Sequence, residues 1–268
     1  LTGLVKSHLR FSFRKFVDWH NARLASRFDH VIATTAFASR EFEDIKVDNL
    51  VNIPLGVDLE TFSPKLRNTQ LRQELLKEQE VLLIHLGRMS SEKNPQNSIL
   101  TLIELRKRGV NARLVYVGMG PMFAKLKQLA ADHPVTFLGY IVDRKKLAEI
   151  MASADVSIAP GPIETFCLAA LESLASGTPV VASATSAVGE FLMLDSRSPV
   201  GAIAENKPEA FADAIQNVLL RKNQDPNFSQ NCHHQAENFP WSSTLMMMLR
   251  LHGAGREVTA LRRNLRAA

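Results

Sequence analysis

Alternation of apolar runs with helical patterns predicts an α/β protein built on a doubly wound, mostly parallel sheet. Three observations carry that expectation. Short apolar segments lie at 81–86, 112–117, 135–138, 155–159, 179–182 and 200–204, as suits strands buried on both faces. Helical patterns fall between and around them, at about 70–78, 95–108, 120–131, 143–153, 166–176 and 207–220. Residues able to do chemistry cluster just after strands, where open parallel sheets place their ligands.

Taken in order, the chain opens on a helical stripe within 10–28 formed by Phe13, Phe16, Val17, His20 and Leu24, expected to face a core rather than enter a bilayer. Residues 31–35 read as a strand, followed by a short helix through Asp44. Residues 50–54 read as an extended crossing into a polar linker that ends near Thr69. The run Val81-Leu82-Leu83-Ile84-His85-Leu86 then leads into Gly87-Arg88-Met89-Ser90-Ser91-Glu92-Lys93-Asn94-Pro95. A Gly, an Arg and a Lys at the end of a parallel strand can bring two cations to two phosphates. The second Gly and the Lys-Ser/Thr pair of a nucleotide-hydrolase loop are absent, and singly Arg88 and Lys93 also fit solvated loop charges. Gly118-Met119-Gly120 follows the next strand, but position 123 is Phe, so the dinucleotide fingerprint is incomplete and a dehydrogenase is disfavoured.

The densest signal comes after Asp155-Val156-Ser157-Ile158-Ala159-Pro160. There Glu164-Thr165-Phe166-Cys167-Leu168-Ala169-Ala170-Leu171-Glu172 runs from a turn into a helix that Gly177-Thr178-Pro179 ends. A helix N-terminus after a buried strand is an anion site, because its first amides and its dipole point outward. Leu168 and Glu172 share one helix face about 6 Å apart, roughly the distance from a phosphate to its ribose. A nucleotide diphosphate fits this pattern, with Glu172 accepting from ribose hydroxyls and Glu164 gripping another polyhydroxylated group. The bland alternative is an N-cap region followed by a surface Glu. Trp241 opens a last helix over 241–252 as a packing anchor, and 253–268 is expected to be a disordered basic tail.

Gly87-Arg88…Lys93 followed by Glu164-x7-Glu172 resembles the donor site of the retaining GT-B glycosyltransferases of family 4. That family's other milestones appear in order as Ile53-Pro54-Leu55-Gly56-Val57-Asp58, Val117-Gly118-Met119-Gly120-Pro121, Phe137-Leu138-Gly139-Tyr140 and Ser153-Ala154-Asp155-Val156. The segment 159–166 is most similar to actinobacterial α-mannosyltransferases that use GDP-mannose on lipid or lipoglycan acceptors. The resemblance implies a Rossmann-like donor domain at 51–225, the C-terminal half of a GT-B fold. It implies crossover helices at 226–252, and a remnant of a second Rossmann-like acceptor domain at 1–50. On that reading the chain, which begins at Leu1, is expected to be a fragment, the product of a miscalled start or a decayed gene product, with most of the acceptor domain missing.

By the same resemblance Arg88 and Lys93 neutralise the donor diphosphate and Glu164 contacts the transferred sugar, the three residues closest to the chemistry. Glu172 holds the ribose, amides of Phe166, Cys167 and Leu168 bind sugar hydroxyls and the β-phosphate, and Tyr140-Ile141 lies along the base beside Gly87. Cys167 stands where the family usually has Gly. The implied activity is retaining hexosyl or mannosyl transfer from a nucleotide-diphosphate sugar, without cofactor or metal. A donor-binding module lacking transfer activity, and a nucleotide-sugar epimerase, are the alternatives.

Composition is that of an ordinary globular chain: 268 residues, 46% hydrophobic and 22% charged. Two cysteines give no disulfide framework and fit a cytoplasmic setting. No Cys/His spacing suggests zinc, His233-His234 reads as a surface pair, and no Asp-x-Asp motif occurs. Residues 1–30 and 250–268 each carry a net +4, leaving the residues between them at −3. Basic ends of this kind suit an anionic bilayer, and a peripheral place on the inner face of the cell membrane is expected. Nothing accompanies the charge that would mark a nucleic-acid partner.

Overall fold

The computed structural model describes residues 7–194 and 199–253, with side chains from residue 13 onward. They form two compact units, one running through Pro54 and the other starting at Leu55.

The first unit holds helix α1 (Ser7–Ala25), strand β1 (Val31–Ala33), helix α2 (Ala36–Asp44) and strand β2 (Leu50–Asn52). Thr35 caps α2 by accepting from the Ala38 amide, as an extended hydroxyl residue ahead of a helix should. The segment expected as an extended crossing instead pairs in parallel with β1, Val31 opposite Leu50 through Ala33 opposite Asn52. That pairing explains why the unit ends after Pro54 and not at residue 50. The α1 stripe expected to face a core is largely exposed: Phe13, Phe16, His20 and Leu24 stand in solvent, Phe16 at 57% exposure, while Val17 is half-buried. A two-stranded sheet offers too little apolar surface to cover it.

In the second unit six parallel strands carry the order β5-β4-β3-β6-β7-β8. They are β3 (Val81–Leu86), β4 (Ala112–Val117), β5 (Val135–Phe137), β6 (Val156–Ala159), β7 (Val180–Ser183) and β8 (Gly201–Ala204). Helices α3 (Thr69–Leu76), α4 (Pro95–Lys107), α5 (Phe123–Leu129), α6 (Arg144–Ser153), α7 (Leu168–Ala175), α8 (Gly189–Leu192), α9 (Pro208–Gln224), α10 (Phe228–Ala236) and α11 (Trp241–Leu251) complete it. Among them α4, α5 and α9 pack together, as do α3, α6, α7 and α10. The continuous apolar strands are why both faces need helices: Leu82, Leu83, Ile84, Leu114, Val115, Val180 and Val181 have no exposed surface. Burying each such side chain contributes about 1.5–3 kcal/mol. Helix starts follow the local chemistry, with Asn68 capping α3, Asp143 accepting from the Lys145 and Lys146 amides, and Pro95 and Pro208 opening α4 and α9.

Chain direction divides at β3. From β3 the chain moves outward to β4 and β5, and it then returns to place β6 on β3's other side. Loops leaving β3 and β6 therefore part company, which opens a crevice at the C-terminal ends of these two neighbours. At the opposite end an ion network joins the same pair. The Asp155 carboxylate accepts from the Leu82 amide at 2.8 Å, from Arg72 at 2.7 Å and from Lys222 at 3.2 Å. Arg72 also donates to the carbonyls of Ser153 and Glu80, which fixes its guanidinium in place.

Among the described residues no helix is long and apolar enough to cross a membrane. Of the expected basic tail, 253–268, all but Gly253 lies outside the described residues.

Burial alone would raise the Asp155 carboxyl, but Lys222, Arg72 and the Leu82 amide together hold it below the usual carboxylate range. Breaking one side of such a pair strands the others, so Asp155→Ala should cost about 3 kcal/mol in urea unfolding at neutral pH. A carboxyl with a depressed folded value stabilises above its unfolded value and loses that contribution as pH falls through the folded one. The gap between wild type and Asp155→Ala should therefore narrow in acid; a gap constant from neutrality to strong acid would contradict the assignment.

Candidate functional site

The crevice between the β3 and β6 loops holds a cleft of about 440 Å³. Its floor comes from β3 and β4. Gly87 bonds its amide to the Val117 carbonyl, Met89 bonds its amide to Met119, and Met122 returns an amide to Met89. Gly118 makes that approach possible: at φ +130 an added Cβ would sit 2.1 Å from the Gly87 oxygen. Gly120 is as crowded, against the Met89 backbone. These glycines bring two loops together, which accounts for a motif that the dinucleotide fingerprint left unexplained.

Walls of the cleft are apolar, from Leu86, Val117, Met119, Ile141, Leu147 and Met151, with Tyr140 at an open edge. Two charged residues line it: exposed Arg88 after β3, and buried Glu172 one turn into α7. Of the residues singled out in the sequence, Gly87, Arg88, Tyr140, Ile141 and Glu172 thus share one lining. Burial raises the Glu172 carboxyl above its ordinary value, Arg144 opposes the rise and Asp58 adds to it.

Lys93 and Glu164 meet beside this cleft, on the same two loops. The Lys93 ammonium stands 2.7 Å from both Glu164 oxygens, so the carboxylate is chelated by one cation. Lys93 ends a short 3-10 turn, Ser91–Lys93, and Asn94 follows in the left-handed region at φ 45 to start α4. The Glu164 loop is tethered from three directions. Ala187 donates its amide to the Glu164 carbonyl, Thr185 its hydroxyl to Pro162, and Asn206 its side-chain amide to Pro160. Asn206 also accepts from Asn94 at 2.8 Å, so one residue after β8 braces both loops.

Phe166, Cys167 and Leu168 do not put side chains into the cleft lining. Phe166 is buried against Phe191, ring centroids 5.6 Å apart, and Leu168 packs on the core. Their place at the start of α7 leaves backbone amides as what they can offer, since first-turn N–H groups have no helical partner. α7 begins at Leu168 instead of 166 because Cys167 takes the left-handed conformation, φ 68 and ψ 73. Burial, helped by the nearby Glu164 carboxylate, pushes the Cys167 thiol up to about 12, so it stays protonated. Both carboxylates, Glu164 and Glu172, and Lys93 act on that thiol electrostatically, which sets Cys167 at the junction of the two pairs.

Sequence reasoning missed Arg144, Asn206 and Thr185. Arg144 reads as an ordinary charge at a helix start, and the other two sit on loops remote in sequence from the motifs they brace. His233 is half-buried, its ring bonded to the Ala175 carbonyl, while exposed His234 pairs with Glu237. Among the described residues no group of three or more His, Cys, Asp or Glu could hold a metal ion.

The sequence profile described as "Glycosyl transferases group 1" matches residues 67–236. A GDP-mannose-dependent alpha-(1-6)-phosphatidylinositol dimannoside mannosyltransferase of Mycobacterium tuberculosis is 46% identical over 245 residues, 91% of this chain and 63% of that protein. A D-inositol 3-phosphate glycosyltransferase of Mycobacteroides abscessus is 32% identical over 208 residues, 74% of this chain and 45% of its own length. The chain thus spans less than two thirds of these curated relatives. Among solved structures, HepE of Anabaena in complex with UDP and glucose superposes with a TM-score of 0.72 at 19% identity, covering 88% of this chain and 66% of that one. Identity that low speaks to the fold alone.

A non-glycine residue in the left-handed region carries a strain of about 1–2 kcal/mol, and glycine gives back about 0.5–1 in chain entropy. Cys167→Gly should therefore stabilise the protein by roughly 0.5–1 kcal/mol. Thermal denaturation checks it, and a lowered midpoint would mean that the thiol's packing outweighs the backbone strain.

Proposed function

The chain belongs to the group 1 glycosyl transferases and its six-stranded parallel sheet matches GT-B structures, and from that premise we propose that it binds a nucleotide-diphosphate sugar between the β3 and β6 loops and transfers the sugar, with retention at its anomeric carbon, to a lipid or glycan acceptor. One observation carries this reading. Arg88 and Glu172, 84 positions apart, line a single cleft at the strand switch point, with the Lys93–Glu164 pair beside it. The mycobacterial relative's name supports GDP-mannose as the donor and a phosphatidylinositol mannoside as the kind of acceptor.

On this proposal the base rests along Tyr140 and Ile141, and the ribose hydroxyls donate to Glu172. The diphosphate lies by Gly87 between Arg88 and the start of α7. Lys93 turns from Glu164 to the phosphates, which frees Glu164 for the sugar hydroxyls. As the bond from the anomeric carbon to the β-phosphate oxygen breaks, negative charge gathers on the leaving nucleotide. Arg88, Lys93 and the amides of Phe166, Cys167 and Leu168 stabilise that charge more in the transition state than in the ground state. Two cations and a helix terminus suffice for this, so we propose transfer without a metal.

The place of work we propose is an anionic membrane surface on the cytoplasmic side. Its support is α1, which exposes Phe16 and Trp19 alongside Arg14 and Arg23, with the Arg23 guanidinium 5.6 Å above the Trp19 ring. Retention on anionic vesicles at low salt, with release as salt screens the charge, is the expected result. Equal recovery from anionic and neutral vesicles would remove it.

Donor binding and transfer are separable by calorimetry with GDP-mannose and a turnover assay on a mannosylated phosphatidylinositol acceptor. Binding without turnover would favour the second reading, a donor-binding module. Arg88→Ala and Lys93→Ala should each weaken GDP binding by about 1.5–3 kcal/mol, the range for hydrogen bonds to charged groups. Unchanged affinity in both would end the phosphate role.

A further inference from the structure

Glu172 is a buried carboxylate in a mostly apolar cleft, and a carboxylate in such surroundings tends to take up a proton. A neutral acid accepts weaker hydrogen bonds than a charged one. The cation that opposes protonation stands at an unfavourable place. Arg144 is the first residue of α6, where the helix dipole presents its positive end and a guanidinium is disfavoured. Contacts outside its helix hold it there. Its Nη2 lies 3.6 Å from Glu172 Oε1, and its guanidinium sits 5.0 Å from the centre of the fully buried Phe62 ring. Asp58, whose own carboxyl is lowered first by the Thr61 side chain and to a smaller degree by Arg144, flanks it.

The geometry points to Arg144 as a positioning residue that keeps Glu172 ionised and oriented toward the cleft. This rests on the nucleotide reading of that cleft and adds to it a residue outside the lining. Other charged or titratable groups surround Glu172 as follows. Asp58 acts on it from the loop ahead of α3, while Arg88 at the end of β3 and Tyr140 after β5 share the cleft lining with it. Cys167 stands at the head of its own helix, and His233 of α10 binds the Ala175 carbonyl at the far end of α7. β6 and β7 bring only apolar and hydroxyl side chains. Of these groups Arg144 is the cation in reach of the carboxylate, and Asp58 works in the opposite sense.

Removing Arg144 should raise the pH at which Glu172 takes up its proton, so affinity for a ribonucleotide should fail earlier on acidification. The test is GDP binding between about pH 5 and 8 for the wild type, Arg144→Gln and Arg144→Lys. Arg144→Gln should move the midpoint of the affinity loss upward by about one pH unit, with Arg144→Lys close to wild type. 2′,3′-Dideoxyguanosine diphosphate offers Glu172 no ribose hydroxyl, so its profile should not respond to residue 144. Coincident GDP profiles in wild type and Arg144→Gln, or an equal shift with the dideoxy ligand, would overturn the inference. Failure of the wild type to bind GDP at any pH would instead overturn the nucleotide reading on which it stands.

Discussion

Adjacent placement of β3 and β6 is the constraint on which the rest of this structure depends. The two strands pair directly, yet 69 residues of chain separate them, and they send their loops to opposite sides of the sheet. A crevice forms there because no segment is available to fill it. Whatever the β3 loop offers on one bank faces whatever the β6 loop and α7 offer on the other. At the other end of the strands, Asp155 ties the start of β6 to the Leu82 amide and gathers Arg72 and Lys222 around it. One end of the strand pair is locked by charge and the other is left open for chemistry.

The open end is already in electrostatic balance without a ligand. Lys93 and Glu164 saturate each other, and Glu172 has Arg144. A diphosphate entering this space would exchange existing interactions instead of meeting bare charges, so its net gain is the difference between two good partnerships. Arg88, exposed at the rim, is the cation such an anion would meet at lowest cost. Loop tethers from Ala187, Thr185 and Asn206 limit how far the Glu164 segment can travel during the exchange.

Much of this was legible in the sequence, for identifiable reasons. Strands buried on both faces advertise themselves as unbroken apolar runs, and all six appear within a residue or two of the expected bounds. Loop motifs after β3 and β6 are local in sequence, so Gly87, Arg88, Glu164 and Glu172 could be named from spacing. What escaped was tertiary. Nothing in the surroundings of Arg144 or Asn206 announces a partner 28 or 46 residues away. The pairing of β2 with β1 depends on two three-residue segments, too short for periodicity to register. The α1 stripe has helical spacing, but spacing alone cannot say what covers a face, and here its aromatic residues stand in solvent. Cys167 kept its expected place in the chain, while its left-handed backbone and the later start of α7 had to be seen.

Gly118 and Gly120 have a consequence for how the cleft could change over evolutionary time. Their hydrogens leave room for main chain to lie on main chain, so a side chain at either position would push the β3 loop away and spoil the floor for every ligand alike. Drift toward another base must therefore be written into the upper walls, where Met119 and Tyr140 face outward with slack around them. Retuning of this kind can proceed one rim residue at a time, on a foundation that tolerates almost no variation.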